Sequence, residues 1–268
     1  MQHPLACVHP NAKIGQNVTI EAFAFVDDNV TIGDNTWIGP HVTIMSGAII
    51  GKGCKVYPGA VVAGPPQDLK YQGEATTAQI GDNTVIRECV TINKGTTESM
   101  TTKVGSNALI MAYVHVAHDC VVGNNCIIAN AVQLGGHVVI DDHAIIGGTS
   151  AVHQFVRIGK HVMISGGSLV RKDVPPYIKA GREPLSYAGV NVIGLRRRGF
   201  NSFQIAEVQE VYRYFYQSGL NNTDALVAVE EVIQPSEARD EILNFIKVST
   251  RGIIRGAAAK SGSMNDDM

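Results

Sequence analysis

The sequence predicts a solenoid of short parallel β-strands followed by a small helical region, and three observations carry that prediction. Aliphatic residues recur at every sixth position: Ile14, Ile20, Val26, Ile32, Ile38, Ile44, Ile50, Val56 and Val62, then Ile80, Ile86 and Ile92, then an unbroken series from Val104 to Val170. The residue two before each is small, as in Ala108, Val114, Cys120, Cys126 and Val132, and the residue after it is often Gly, as in Gly15, Gly33, Gly105 and Gly123. Aromatic residues make up only 6% of the chain, so something other than large rings must fill its core.

The sixfold period has a direct meaning. Side chains alternate faces along a strand, so the small residue and the aliphatic two later point the same way, inward. Three hexapeptides make one triangular coil of eighteen residues, and stacked coils pair their backbones about 4.8 Å apart. The glycines are expected to permit the tight turn after each strand. An amphipathic helix would show a period of about 3.6 instead.

Two segments break the repeat. Near 63–79 the aliphatic positions become Asp68 and Glu74, and near 97–103 the position is Glu98. A carboxylate is costly in an aliphatic interior, so both segments are expected to be projecting loops. Residues 1–190 form the solenoid domain in this reading; its repeats end at Val174-Pro175-Pro176, where consecutive prolines cannot continue a paired strand. Residues 191–268 form the helical domain. Asn201 and Gln204 have capping-box spacing ahead of Ile205, Val208, Val211, Tyr212 and Phe215, and Gly219 marks a stop. Leu226, Val229, Val232 and Ile233 indicate a second helix, and Ile242, Leu243, Phe245 and Ile246 a third. The terminal GAAAKSGSMNDDM is expected to be a frayed tail.

Composition narrows the function. Twenty-two Lys and Arg against twenty-four Asp and Glu give a net charge of −2, which leaves no basic footprint for nucleic acid. No basic n-region precedes an apolar stretch at the start, and no apolar run approaches the roughly 20 residues of a membrane span. Five Cys without a CxxC motif fit a reducing compartment. The expectation is a soluble, cytoplasmic protein with no membrane insertion.

Counting in eighteens places His118, Gly136 and Gln154 in one exterior column, and Asp119 with His137 in the next. Three such coils would bring these groups within roughly 10 Å. Histidine takes a proton near neutrality, and a glycine turn lets a substrate oxygen approach a backbone N–H. Asp119 either orients an imidazole or stabilises a turn. Asp68, Lys70 and Tyr71 stand on the first loop, and Arg196, Arg197 and Arg198 form a cationic run suited to phosphate.

The segments Gln67-Asp68-Leu69-Lys70-Tyr71, His115-Val116-Ala117-His118-Asp119-Cys120, Ala151-Val152-His153-Gln154-Phe155, Asp173-Val174-Pro175-Pro176-Tyr177, Gly189-Val190-Asn191, Arg197-Arg198-Gly199-Phe200 and Ser249-Thr250-Arg251-Gly252 together resemble the UDP-N-acetylglucosamine O-acyltransferases of lipid A biosynthesis. The resemblance covers nearly the whole chain. It implies a mainly β fold, a left-handed parallel β-helix with a small α-helical C-terminal domain, assembled as a homotrimer with sites in the clefts between subunits. It implies transfer of an (R)-3-hydroxyacyl chain from acyl carrier protein to the 3-hydroxyl of UDP-N-acetylglucosamine, with no cofactor and no metal. By motif match His118 is the general base and the Gly136 N–H meets the oxyanion. Asp68 and Lys70 would hold the glucosamine, while His115, His137, His153 and Gln154 would line the sugar and diphosphate groove. Asn191 and Arg197 would meet the nucleotide, with Arg198 nearby, and Gly166 would set how deep the acyl chain enters.

Two positions depart from that family's pattern: Asn93 stands where His is frequent and Ile193 where Glu is frequent. In the gamma-class carbonic anhydrases, which share the hexapeptide solenoid, two zinc His stand five residues apart; no His pair here does. Three rival readings remain at this level: N-acylation of a 3-amino UDP-sugar, an acetyl-CoA-dependent hexapeptide transferase, and a catalytically silent scaffold.

Overall fold

The computed structural model of the protein describes residues 1–256; most of the segment expected to fray lies outside the described residues. Two-residue strands wind around a triangular prism and stack into three sheets of nine, eight and eleven strands. Partners are eighteen residues apart along most of the prism, as in Cys7 with Phe25 and His115 with Gln133. Two insertions stretch this spacing by whole hexapeptides. Ala48 pairs with Ala78, thirty residues on, and Thr77 with Thr101, twenty-four on. The additions of twelve and six residues keep the aliphatic column in phase.

The inward column is sealed. Ile38, Ile44, Ile86, Ile110, Ile128 and Ile146 have no exposed surface, and neither do Cys120, Cys126, Val132 and Val138 beside them. Three of the five cysteines, Cys54, Cys120 and Cys126, are therefore small core residues, and burial pushes the thiols of Cys120 and Cys126 up to about 12. Ile14 is an exception at 38% exposure, because few coils lie beneath it at the chain's start.

The turn chemistry differs from expectation. The glycine after each aliphatic residue is not where the backbone turns left-handed. That conformation falls two residues later, at φ of 46–63°, on Asn17, Phe23, Asn29, His41, Asn107, Asp119, Asn125, His137 and their equivalents. What the glycines provide is clearance. A Cβ on Gly33 would lie 2.7 Å from the Gly51 carbonyl carbon, and one on Gly105 2.6 Å from that of Gly123. Successive coils touch backbone to backbone at these points, which excludes any side chain.

The first loop, residues 65–76, is narrower than the break in the repeat, since Val61–Gly64 and Thr77–Ile80 are strands; the second, residues 94–100, is as long as expected but starts three residues earlier, between the strands Thr91–Asn93 and Thr101–Val104. Both leave the same corner of the prism, one coil above the other, immediately before the turn that carries His118. At the far end an antiparallel hairpin, Ile178–Gly181 with Ser186–Val190, and a last strand, Arg255–Gly256, extend the third sheet. Four helices follow the hairpin: α1 (Val192–Arg197), α2 (Ser202–Tyr216), α3 (Asn222–Val232) and α4 (Glu237–Lys247). The Asn201–Gln204 capping box forms at α2, whose buried face is Ile205, Val208, Val211, Tyr212 and Phe215. In α3 the inward residues are Ala225 and Val229, while Val232 is exposed. None of the described helices is long and apolar enough to cross a membrane.

Candidate active site

His118, Gly136 and Gln154 stand in successive turns of one corner. The His137 N–H donates to the His118 carbonyl at 3.1 Å, and the Phe155 N–H to the Gly136 carbonyl at 3.0 Å, which ties the three turns together. The His118 ring lies against Gly136 so closely that a Cβ there would sit 2.7 Å from its Cε1 and Nε2. Among the described residues the Gly136 N–H has no acceptor. At another corner, the matching N–H groups of Gln16, Lys52 and Asn124 are each taken by an Asp Oδ1 of the next coil, at 2.8, 2.7 and 2.6 Å.

Asp119 is the residue that organises the corner. Its carboxylate, without solvent exposure, lies 2.8 Å from His118 Nδ1. It also accepts the Thr96 N–H at 2.9 Å, the Thr96 hydroxyl at 2.7 Å and the Ser99 hydroxyl. Burial alone would raise its pKa; the hydrogen bonds from Ser99, His118 and Thr96 outweigh that and leave it at about 2. An ionised carboxylate only accepts, so His118 Nδ1 carries its proton and Nε2 is left with a free lone pair. His137 packs edge-on to His118 at 5.1 Å and is sandwiched against Phe155 at 4.5 Å. Its Nε2 lies 3.4 Å from Glu98 Oε2 and 3.7 Å from Asp119 Oδ2.

Asp119 therefore has both roles weighed for it, at φ 60° in the turn and as the orienting partner of an imidazole. Thr96, Glu98 and Ser99 were not legible as site residues. The signal was the length of the second insertion, one hexapeptide that leaves the coil and returns. His118, Asp119 and His137 also hold ligand atoms within 4.8 Å of one another, a trio that could bind a metal ion. A cation there would have to displace the Nδ1 proton of His118.

The remaining predicted residues divide among the corners. His115 is half-buried on the strand before His118, with Nδ1 2.7 Å from the Thr91 hydroxyl; burial, then the nearby His118, lowers its pKa. His153 and Gln154 are exposed in the turn above Gly136. Asp68 folds its own loop by accepting the Lys70 N–H at 2.9 Å. Gly166 lies at a second corner, where a Cβ would meet the Gly148 carbonyl at 3.1 Å. Asn191, Arg197 and Arg198 lie at the third. Asn191 is buried and caps α1: it accepts the Gly194 N–H at 3.2 Å and donates to the His161 carbonyl at 2.9 Å. Its carboxamide thus holds the helix to the solenoid. Arg198 ends α1 and is half-buried, Arg197 is exposed, and Ile193 projects outward at 67% exposure. Asn93 ends the strand Thr91–Asn93. It is buried, donates to the Pro65 carbonyl at 2.9 Å, and anchors the base of the first loop.

Comparison with known proteins identifies this arrangement. Residues 173–254 match the model of UDP-N-acetylglucosamine O-acyltransferase domain 2, and residues 29–64 and 101–136 match the bacterial transferase hexapeptide model. The chain is 58% identical over 251 residues to the acyl-[acyl-carrier-protein]--UDP-N-acetylglucosamine O-acyltransferase of Chlorobaculum parvum, covering 93% of this chain and 95% of that one. It is 52% identical over 266 residues to the Sulfurihydrogenibium enzyme of the same name, covering 99% and 98%. A solved UDP-N-acetylglucosamine acyltransferase from Bacteroides fragilis superposes with a TM-score of 0.94 at 52% identity, over 95% of this chain and all of that one. The coil is thus a left-handed parallel β-helix, and the chain belongs to the UDP-N-acetylglucosamine O-acyltransferase family.

Proposed function

We infer that the protein transfers an (R)-3-hydroxyacyl chain from acyl carrier protein to the 3-hydroxyl of UDP-N-acetylglucosamine, the first step of lipid A biosynthesis. The observation that carries this reading is His118, its Nδ1 held by Asp119 at 2.8 Å and its ring against Gly136. His118 Nε2 takes the proton of the sugar hydroxyl as that oxygen adds to the thioester carbonyl. The Gly136 N–H receives the negative charge that develops on the carbonyl oxygen. Collapse breaks the carbon–sulfur bond, and the departing thiolate recovers the proton from His118. His115, His137, His153 and Gln154 line the sugar and diphosphate groove around this centre.

Asp68 and Lys70 belong to the loop at the His118 corner, whereas Asn191, Arg197 and Arg198 belong to a different corner of the same prism, and Gly166 to the third. One subunit does not converge them. A homotrimer with clefts between prisms does, one subunit supplying the base and a neighbour the nucleotide and acyl-chain residues. The acidic carrier protein docks on local basic groups, because a net charge of −2 gives no global attraction. Arg171, Lys172, Arg182 and Arg255 surround a cavity of about 610 Å³ one coil beyond His153 and Gln154, which supports that docking position. A carrier-protein thioester and a sugar nucleotide as substrates support a cytoplasmic enzyme.

The test is mass spectrometry of the product formed from mixed acyl-carrier-protein donors and UDP-N-acetylglucosamine. The expected product is the 3-O-(3-hydroxyacyl) sugar nucleotide, and His118→Ala lowers its formation about 10²–10⁴-fold with the oligomer intact. Near-native turnover by that variant, or acetyl-CoA as the preferred donor, would overturn the reading.

A further inference from the structure

The insertion at 94–100 leaves the coil and comes back to a single side chain. Asp119 accepts hydrogen bonds from four groups, and three of them belong to this insertion: the Thr96 N–H, the Thr96 hydroxyl and the Ser99 hydroxyl. The fourth is His118 Nδ1. The loop is closed on itself so that these donors are held in place. The Met100 N–H donates to the Thr96 carbonyl at 2.8 Å, and the Glu98 N–H to the Thr96 hydroxyl oxygen at 3.3 Å. Just past the loop, the Thr102 hydroxyl oxygen receives the Asp119 N–H at 2.8 Å.

We propose that Thr96 and Ser99 are positioning residues that set how strongly the His118–Asp119 pair holds its proton, an inference resting on His118 being the general base. A carboxylate whose only donor were His118 would concentrate its charge on the Nδ1–H and favour the imidazolium. An imidazolium has no lone pair for the sugar hydroxyl. The two hydroxyls and the Thr96 N–H share that charge and keep Asp119 ionised in a buried place where it would otherwise take up a proton. The imidazole is then oriented by a carboxylate whose charge is shared among four donors.

The other ionisable groups around the pair stay the same when the hydroxyls are removed. They are His115 on the preceding strand, His137 in the next coil, Glu98 facing His137, and the Cys120 thiol, which burial keeps neutral.

The test is the pH dependence of kcat/KM for Ser99→Ala and Thr96→Val, with Ser99→Thr and Thr96→Ser as conservative partners. Each lost hydroxyl moves the acid limb upward by roughly half a unit to one unit, the equivalent of one hydrogen bond. The conservative variants return it to the parent position. Proton NMR of the substrate-free protein supplies a readout independent of activity. The downfield N–H resonance of His118, assigned by its loss in His118→Ala, moves in Ser99→Ala and Thr96→Val. Lower kcat at every pH with limb and resonance both unmoved would overturn the proposal. A resonance that moves in a protein that does not acylate UDP-N-acetylglucosamine would instead refute the functional reading and leave the positioning role standing.

Discussion

His118 points Nδ1 at the Asp119 carboxylate, 2.8 Å away, and this one bond leaves Nε2 as the ring nitrogen open to a substrate. Asp119→Asn keeps the size and removes the charge, so the amide no longer enforces a single tautomer. A loss of about 10² in kcat or more is expected, within the range of general-base catalysis. The same residue predicts acid behaviour. Its folded pKa of about 2 lies below the ordinary 3.8, so its contribution to stability is complete above about pH 4 and is lost as pH falls toward 2, on the order of 2 kcal/mol. Thermal melts across that window should fall less steeply for Asp119→Asn than for the parent. Parallel slopes would show that Asp119 is not the group responsible.

Gly136→Ala tests the clearance beneath the base. The added methyl would lie 2.7 Å from His118 Cε1 and Nε2, and Gly136 is not among the left-handed glycines, so backbone strain is not the issue. The ring must move, and a displacement near 1 Å at the reacting centre costs about 10²-fold. The expected result is a large loss of kcat with an unchanged melting temperature; full activity would mean that the ring position is not critical.

The prism makes a paired prediction about its corners. Gly105→Ala places a Cβ 2.6 Å from the Gly123 carbonyl carbon, a backbone atom that cannot rotate away. A destabilisation of about 1–3 kcal/mol is expected. Asn125→Gly, at φ 56°, substitutes the residue best suited to that conformation and should be near neutral, while Asn125→Ala costs about 1 kcal/mol. Chemical denaturation of the three variants checks the order. Equal effects at both sites would contradict the separation between clearance and turning.

That separation shows where the sequence was legible. A period of six is a property of the chain alone, so the aliphatic column, the small residues beside it and the sharing of one corner by His118, Gly136 and Gln154 could all be counted out. Which residue of each turn goes left-handed could not, because Asn, His, Phe and Asp all occupy that place and no single type marks it. The roles of Thr96, Ser99 and Glu98 were hidden for another reason. Their partners are twenty or more residues away across an insertion, and a repeat cannot predict the path of the segment that interrupts it. The capping role of Asn191 was hidden as well, because a capping residue and a ligand residue look alike until the helix it caps is seen.

The basic cavity at the end of the prism predicts salt-dependent donor binding. Arg171 and Lys172 are exposed there beside Arg182 and Arg255, with Glu183 3.7 Å from Arg171 as the nearby counter-charge. Raising salt from 50 to 300 mM shortens the screening length from about 14 Å to about 6 Å, which should raise KM for the acyl-carrier-protein donor. Arg171→Glu with Lys172→Glu should reproduce the high-salt value at low salt. Donor kinetics indifferent to both would move the docking surface elsewhere.

Gly166 offers the last test, because it and Gly148 leave two successive coils of their corner without a side chain. A Cβ on Gly166 meets the Gly148 carbonyl at 3.1 Å, and one built on Gly148 meets the Asn130 carbonyl at 3.1 Å and the Ala129 Cβ at 3.9 Å. Gly148 and Gly166 thus present a short track of bare backbone over two successive coils. Gly166→Met would project a thioether out from this track into any chain that runs across it. The native enzyme is expected to accept long donors, and the variant to shift toward shorter ones by about tenfold or more in relative kcat/KM, as the lost burial of two methylenes predicts. Competition between donors of different length, read by product mass, measures the shift directly. An unchanged preference would show that the acyl chain does not reach this corner in any subunit of the assembly.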